Sequence, residues 1–274
     1  MSAAFELRIR PRRGWQAIDF REIILYRELL GFLVWRDVKI RYRQTLLGGM
    51  WAILQPLIAM LIFSFIFNRM AHVQSDGPPY KLFAYAGVAP WTFFSTAVTL
   101  SSNSLLTNQQ MVSKVYFPRI FIPIGAVGAL LVDLLFSLGL CGVLLLIYRW
   151  PLTAAIAWLP VFILAAFLAA AGTGLILSAL NVSFRDIKYV VPFIVQMGLF
   201  ITPVIYPPTY LPQRFQFLLQ LNPMAGVVIG FRHALLGTPA SWALIGDSLG
   251  VSVLLFIFGL LIFRRMENRF ADII

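Results

Sequence analysis

The sequence predicts an all-α polytopic membrane protein. Of its 274 residues, 60% are hydrophobic and only 12% are charged, whereas soluble proteins average roughly 45–50% and about 25%. The mean hydropathy is +0.84. The apolar residues fall into stretches of about 20, the helix length that crosses a bilayer core of ~30 Å. We predict six transmembrane helices, an N-terminal amphipathic interface helix, and a re-entrant outer helix pair before the last span.

The chain begins with a basic segment that contains no span. Residues 1–18 predict a basic cytoplasmic arm beside anionic membrane lipid. Residues 19–35 predict a helix lying in the membrane interface: Asp19 and Glu22 resemble a capping box, and leucines recur along one face of the helix. With the basic run that follows, this interface unit covers residues 19–47.

The basic run over residues 36–43 is denser than a membrane flank requires. On a helix, Arg36 and Arg43 share one face, and Asp37 is expected to pair with Arg41. Arg36 and Arg43 are therefore candidates for contact with a cytoplasmic partner.

The remainder, residues 48–274, predicts the six-helix transmembrane domain. The spans are expected at about residues 49–67, 82–106, 120–148, 152–180, 189–206 and 242–263.

The basic residues predict the orientation of these spans. The net charge of +11 is read as a topology signal rather than as nucleic-acid binding, because basic residues gather on the cytoplasmic side. Most of the 22 Lys and Arg residues lie before the first span, in the second and fourth connections, and in the tail. Only Arg69, Lys81, Arg149, Arg214 and Arg232 fall on the other side. Both termini are therefore expected inside.

Between the fifth and sixth spans, residues 207–238 show two half-length helical patterns. Asn222-Pro223 separates them, and Gly237 follows the second. Each piece is about 15 Å long at 1.5 Å per residue, which is half a bilayer. The pair predicts a re-entrant hairpin on the outer side, with two helices lying flat on the surface as the alternative.

Several kinds of chemistry are missing from the chain. It has no GxxxxGK[ST] phosphate loop, and its single Cys141 and two His residues offer no metal site. No cofactor is expected. Asp133 is the one carboxylate deep in a span, and it is either a structural hydrogen-bonding group or a functional one.

Aromatic residues make up 15% of the chain, and several lie at membrane depth. Sugar rings pack their C–H faces on aromatic rings, so a row of such rings would offer weak, repeated sites along which a polymer can slide. The candidates for a substrate channel are Trp91, Phe93, Phe94, Phe200 and Tyr206.

Several segments together resemble one known family. They are RDVKIRYR at 36–43, LGGMW at 47–51, Pro118-Arg119, NVSFRD at 181–186, TPVIY at 202–206, Asn222-Pro223 and RFAD at 269–272. In this order and in a chain of this length, they resemble the permease subunits of type-2 ATP-binding-cassette exporters that export O-antigen, capsular polysaccharide and teichoic acid.

The resemblance implies a bacterial inner-membrane homodimer that moves a lipid-linked polysaccharide. Two copies of a separate ATPase subunit would carry ATP and Mg. The resemblance also implies an outer gate in 207–238, for which Phe215, Asn222, Pro223, Phe231 and Gly237 are the candidate residues.

The resemblance further implies a coupling helix near 108–117. There Met111 and Val115 are expected to share a face that docks on the ATPase, with Lys114 at the rim. The alternatives are an exporter of a drug or lipid and a membrane enzyme of envelope glycan synthesis.

Overall fold

The computed structural model describes residues 24–43, 48–73, 75, 77–184 and 186–273, and within them the fold is helical without any strand. The basic arm and the start of the interface helix lie outside these residues. The α-helices are α1 (Arg27–Tyr42), α2 (Met50–Phe63), α3 (Tyr80–Thr107), α4 (Gln109–Lys114), α5 (Phe121–Ile147), α6 (Leu159–Ser183), α7 (Ile187–Ile201), α8 (Gln216–Leu221), α9 (Pro223–Leu236) and α10 (Trp242–Ile273). A π-helical turn, Ser64–Met70, continues α2, and 3₁₀ turns lie at Ala154–Trp158, Pro208–Tyr210 and Gln213–Phe215.

Four of the described helical stretches are long and apolar enough to cross a membrane. They are Met50–Met70, Phe121–Ile147, Ala154–Ser183 and Trp242–Glu267. Helices also occupy the other two predicted spans, but α3 carries many hydroxyl residues and α7 has only 15 residues. At 1.5 Å per residue, α7 reaches about 22 Å. Its helix ends at Ile201, so the predicted span to 206 is wrong over its last residues.

Helix α3 lies at the centre of the fold, where α2, α5, α6, α7 and α9 pack around it. Small residues let its neighbours approach closely. A Cβ on Gly174 of α6 would lie 2.4 Å from the Ser101 hydroxyl of α3, and a Cβ on Gly259 of α10 would lie 2.5 Å from the Gly172 carbonyl of α6. Helices in membranes associate through such backbone approaches, because lipid removes the hydrophobic drive between them.

Helix α1 is one continuous helix that runs on through the basic residues. It ends at Tyr42, so residues 27–35 of the predicted interface helix and the basic run up to Tyr42 form a single helix. Its buried Leu33 packs over Gly125 of α5, and Val34 packs over Gly128. Phe32 and Trp35 remain exposed, so α1 presents one apolar face to α5 and another away from the protein.

The two helices before the last span differ greatly in burial. As the sequence predicts, the chain breaks at Asn222, whose side chain accepts a hydrogen bond from the Met224 amide, and it turns at Gly237 with a φ of 68°. Helix α9 is buried almost throughout, whereas Leu219 is the one buried residue of α8. Phe231 belongs to the core. The expected pair of equal half-helices is therefore a core helix preceded by a short exposed one.

Candidate functional site

A row of hydroxyl residues runs along one face of α3. Thr92, Ser95, Thr96 and Thr99 recur at helical spacing and are all partly buried, and we call them the hydroxyl stripe. The Thr99 hydroxyl donates to the Ser95 carbonyl at 2.8 Å, and the Ser95 hydroxyl donates to the Thr92 carbonyl at 3.1 Å. These bonds use the hydroxyl protons and leave oxygen lone pairs available as acceptors.

Two cavities of about 330 Å³ each adjoin this stripe. Both are lined by Thr96 and Leu100; one extends toward α2 and the other toward α7. The first also includes Arg41, Trp51 and Gln55, and the second includes Trp91, Ser95, Thr99 and Gln196. Together they form a groove between α2 and α7 that is mainly apolar and carries several polar side chains, and we call it the α3 groove. The sequence analysis missed it, although the spacing of the hydroxyl residues was visible.

The structure separates the five predicted channel rings rather than aligning them. Trp91 and Phe94 pack with ring centroids 5.6 Å apart and line an apolar cavity of about 270 Å³ beside α7. Phe93 is buried on another side of α3, near Asp133. Phe200 is exposed on α7. Tyr206 donates its hydroxyl to the Phe200 carbonyl at 2.9 Å. The contact between Trp91 and Phe94 is the one ring–ring contact described among these five residues.

The deep carboxylate Asp133 is held by two side chains at the end of α1. Arg41 donates to one of its oxygens at 2.9 Å, and the Tyr42 hydroxyl donates to the other. Burial and, after it, the bond to Asp133 raise the pKa of Tyr42 above its usual range, so the phenol remains a donor. The expected pair between Asp37 and Arg41 is wrong: Asp37 instead binds its neighbour Arg36 at 2.7 Å.

The predicted coupling segment forms a helix shorter than expected. Helix α4 ends at Lys114, and Val115 is extended, so Met111 and Val115 do not share a helical face. Met111 is partly buried, 3.9 Å from the Arg36 guanidinium. Lys114 and Arg43 are exposed, and Val115 and Tyr116 are 55% and 58% exposed. Arg36 and Met111 therefore contact each other. Val115 and Tyr116 are the hydrophobic residues of this segment that are exposed on the surface.

The C-terminal helix braces this segment. Arg119 donates its guanidinium to the Glu267 carbonyl at 2.8 Å and its amide to the Glu267 carboxylate at 3.2 Å. Phe270 is buried, with its ring 5.3 Å from that of Phe263. Val112 and Phe117 are buried in the same cluster. Both ends of the described chain thus support α4.

A buried arginine of α9 is the largest omission of the sequence analysis. Arg232 is 2% exposed. Its guanidinium donates to the carbonyls of Pro203 at 2.7 Å, Val204 at 2.6 Å and Phe83 at 3.3 Å. It also lies 3.5 Å from the centroid of the Phe83 ring. The sequence analysis counted this residue only as an outer-loop charge, although a single Arg within an apolar helix is an unusual feature.

The long apolar helices are consistent with the relatives of this chain. The sequence profile of the ABC-2 type transporter family matches residues 28–236. An O-antigen export system permease protein RfbA of Myxococcus xanthus is 32% identical over 260 residues, covering 92% of this chain and 97% of the relative. RfbA of Klebsiella pneumoniae is 28% identical over 250 residues, with 90% and 95% covered.

The similarity extends to a polysialic acid transport protein. The polysialic acid transport protein KpsM of Escherichia coli is 26% identical over 244 residues, covering 85% of this chain and 91% of the relative. Because the family profile covers most of the sequence, the chain belongs to the ABC-2 type transporter family.

Proposed function

We propose that this chain is the membrane permease of an ATP-driven exporter that moves a lipid-linked polysaccharide, of O-antigen or capsular type, across the bacterial inner membrane. The names of the relatives, O-antigen export permeases and a polysialic acid transport protein, support this substrate class. The chain has no phosphate loop of its own. Its energy therefore comes from a separate ATPase subunit that carries ATP and Mg.

The observation that carries the proposal is the α3 groove. A glycan presents many hydroxyl groups, and Ser95, Thr96 and Thr99 of the hydroxyl stripe offer it oxygen acceptors in the groove, which Gln55 and Gln196 also line. Individually weak, similar sites hold a polymer without trapping it, since conduction needs binding that is also easy to leave. Trp91 borders the same groove and adds an aromatic edge on which a sugar can pack.

A second copy of the chain would complete the path. Helices α2 and α7 flank the groove and expose apolar residues, including Ile58, Phe65, Phe193 and Ile194. One set of helices leaves the groove open on that side, whereas two copies facing each other enclose it. Closed two-fold dimers are the commonest assembly of identical subunits.

The test replaces the hydroxyl stripe in the living cell. The gene is deleted and replaced with the Ser95→Ala, Thr96→Val and Thr99→Val triple variant, which removes the hydroxyl acceptors that line the groove and changes side-chain volume little. We expect surface polysaccharide to fall strongly while permease abundance stays normal. Thr107→Val is the matched control, because Thr107 is exposed on the last turn of α3, away from the groove. Normal polysaccharide in the deletion strain itself would contradict the proposal.

A further inference from the structure

Five residues after α7 form a non-helical segment, Thr202 to Tyr206, which we call the strap. Thr202, Val204 and Ile205 are each at most 1% exposed. Backbone carbonyls that leave a helix at membrane depth need other donors, because lipid supplies none. The strap is therefore stable only where the protein provides them.

Three side chains bind the strap, and two of them donate to its carbonyls. Arg232 of α9 donates to the Pro203 and Val204 carbonyls at 2.7 and 2.6 Å. Tyr80 of α3 donates to the Ile205 carbonyl at 2.6 Å, and Asn222 donates to the Thr202 hydroxyl at 2.9 Å. Arg232 is the one charged member of this set, and its planar fork spreads its donors over three nitrogens, whereas a lysine carries all its donors on one nitrogen.

Two residues of α3, Gly87 and Phe83, make room for the contact between Arg232 and the strap and stabilise it. A Cβ on Gly87 of α3 would lie 2.7 Å from the Val204 carbonyl oxygen and 2.8 Å from Nη2 of Arg232. Gly87 therefore leaves just enough room for the guanidinium and the strap to meet. Phe83, one turn earlier, places its ring against the guanidinium at 3.5 Å, a contact that partly replaces lost hydration.

We propose that Arg232 is a positioning residue that fixes the strap against α3 and α9, and thereby ties α7, one wall of the α3 groove, to the buried outer helix α9. This inference rests on the proposed function, because the α3 groove is the polymer path only if the chain exports a polysaccharide. The strap then connects that path to the outer gate segment. Displacement of α9 would carry the guanidinium with it, and the strap and the end of α7 would follow.

The test measures exposure of the strap directly. Val204→Cys is introduced in a Cys141→Ala background, and the purified protein is treated with a maleimide in detergent. In the parent, labelling is slow because Val204 is fully buried. With Arg232→Lys or Gly87→Ala we expect labelling at least ~10-fold faster, because loss of bonds to a charged donor raises local opening by about that factor.

A matched control separates this role from general core damage. Gly230→Ala lies on the same helix, and its Cβ would meet the Phe162 ring at 2.6 Å without touching the strap. It should lower the melting temperature but leave the labelling rate at the parent value. Labelling in both Arg232→Lys and Gly87→Ala at the parent rate would overturn the inference. If Arg232→Lys does not accumulate, Gly87→Ala decides alone.

Failure of the inference and failure of the proposed function are distinguishable, because labelling needs neither glycan nor ATPase. A second readout concerns the exit itself. Surface polysaccharide per permease should fall further with Gly87→Ala than with Gly230→Ala. An equal loss of surface polysaccharide in both variants would show that Arg232 contributes only to the stability of the core.

Discussion

Asp133 illustrates how one residue can join two parts of the protein. A carboxylate in a span is costly unless it is paired, and here Arg41 and Tyr42 come from α1, outside the predicted spans. The pair therefore fastens the interface helix to α5. Of the two roles left open by the sequence, the geometry supplies a structural one.

Breaking this pair on one side should cost nearly as much stability as removing both partners. We expect Asp133→Asn to lower stability by roughly 1.5–3 kcal/mol, the range for hydrogen bonds to charged groups. Arg41→Gln should do the same, and the double variant should lose less than the sum of the two. Thermal melting of the purified variants in detergent measures these losses of stability. Additive losses would show that the two residues do not interact.

The segment that is predicted to dock on the ATPase can be tested by changing single side chains. Val115→Asp places a charge on an exposed residue beyond α4, and we expect at least a tenfold loss of bound ATPase, about 1.4 kcal/mol, because the charge would be buried unpaired at the contact. Lys114→Glu should have a smaller effect, as rim charges mainly tune association. Copurified ATPase per permease is the readout.

The control for this surface is Lys81→Glu, an exposed residue at the other end of α3. Met111→Asp is a poorer probe than the sequence suggests, because Arg36 lies close enough to neutralise the new carboxylate. Retention of the ATPase by Val115→Asp would exclude this segment as the docking site.

At the scale of helices, close crossings decide the packing. Helices α6 and α10 meet backbone to backbone, and a Cβ on Gly259 would lie 2.5 Å from the Gly172 carbonyl. Gly259→Ala should therefore push the helices apart and cost roughly 1–3 kcal/mol, the usual penalty of overpacking. Gly250→Ala on the same helix has nothing within 4 Å of its new Cβ and should be harmless. Equal melting temperatures for the two variants would contradict this account of the crossing.

Apolar runs predicted where most helices lie, because lipid demands long apolar stretches whatever their neighbours. They did not predict the end of α7, where the break depends on donors such as Arg232, which lie far away in sequence. Nor did they predict that Arg41 and Tyr42 of α1 bind Asp133 across the fold. Partners that are distant in sequence leave no local pattern. The hydroxyl stripe and the single Arg of α9 are visible in the sequence, but their surroundings are not.

At the scale of the whole molecule, the distribution of basic residues predicts the orientation in the membrane. A phosphatase reporter, active only outside the cytoplasm, is fused after Ser75 or after Ser113. We expect activity at Ser75 alone, because Ser113 lies beside Lys114 in the connection assigned to the positive, cytoplasmic side. Activity after Ser113 would reverse the topology.

The bracing of α4 by the last helix also has a consequence for biosynthesis. Arg119 takes its partners from Glu267, and Phe270 closes the cluster that holds Val112 and Phe117. During synthesis, α4 therefore lacks this brace until residues 267–270 have been made and have packed against it. A chain truncated after Arg265 should then insert into the membrane but retain little ATPase, which copurification would reveal.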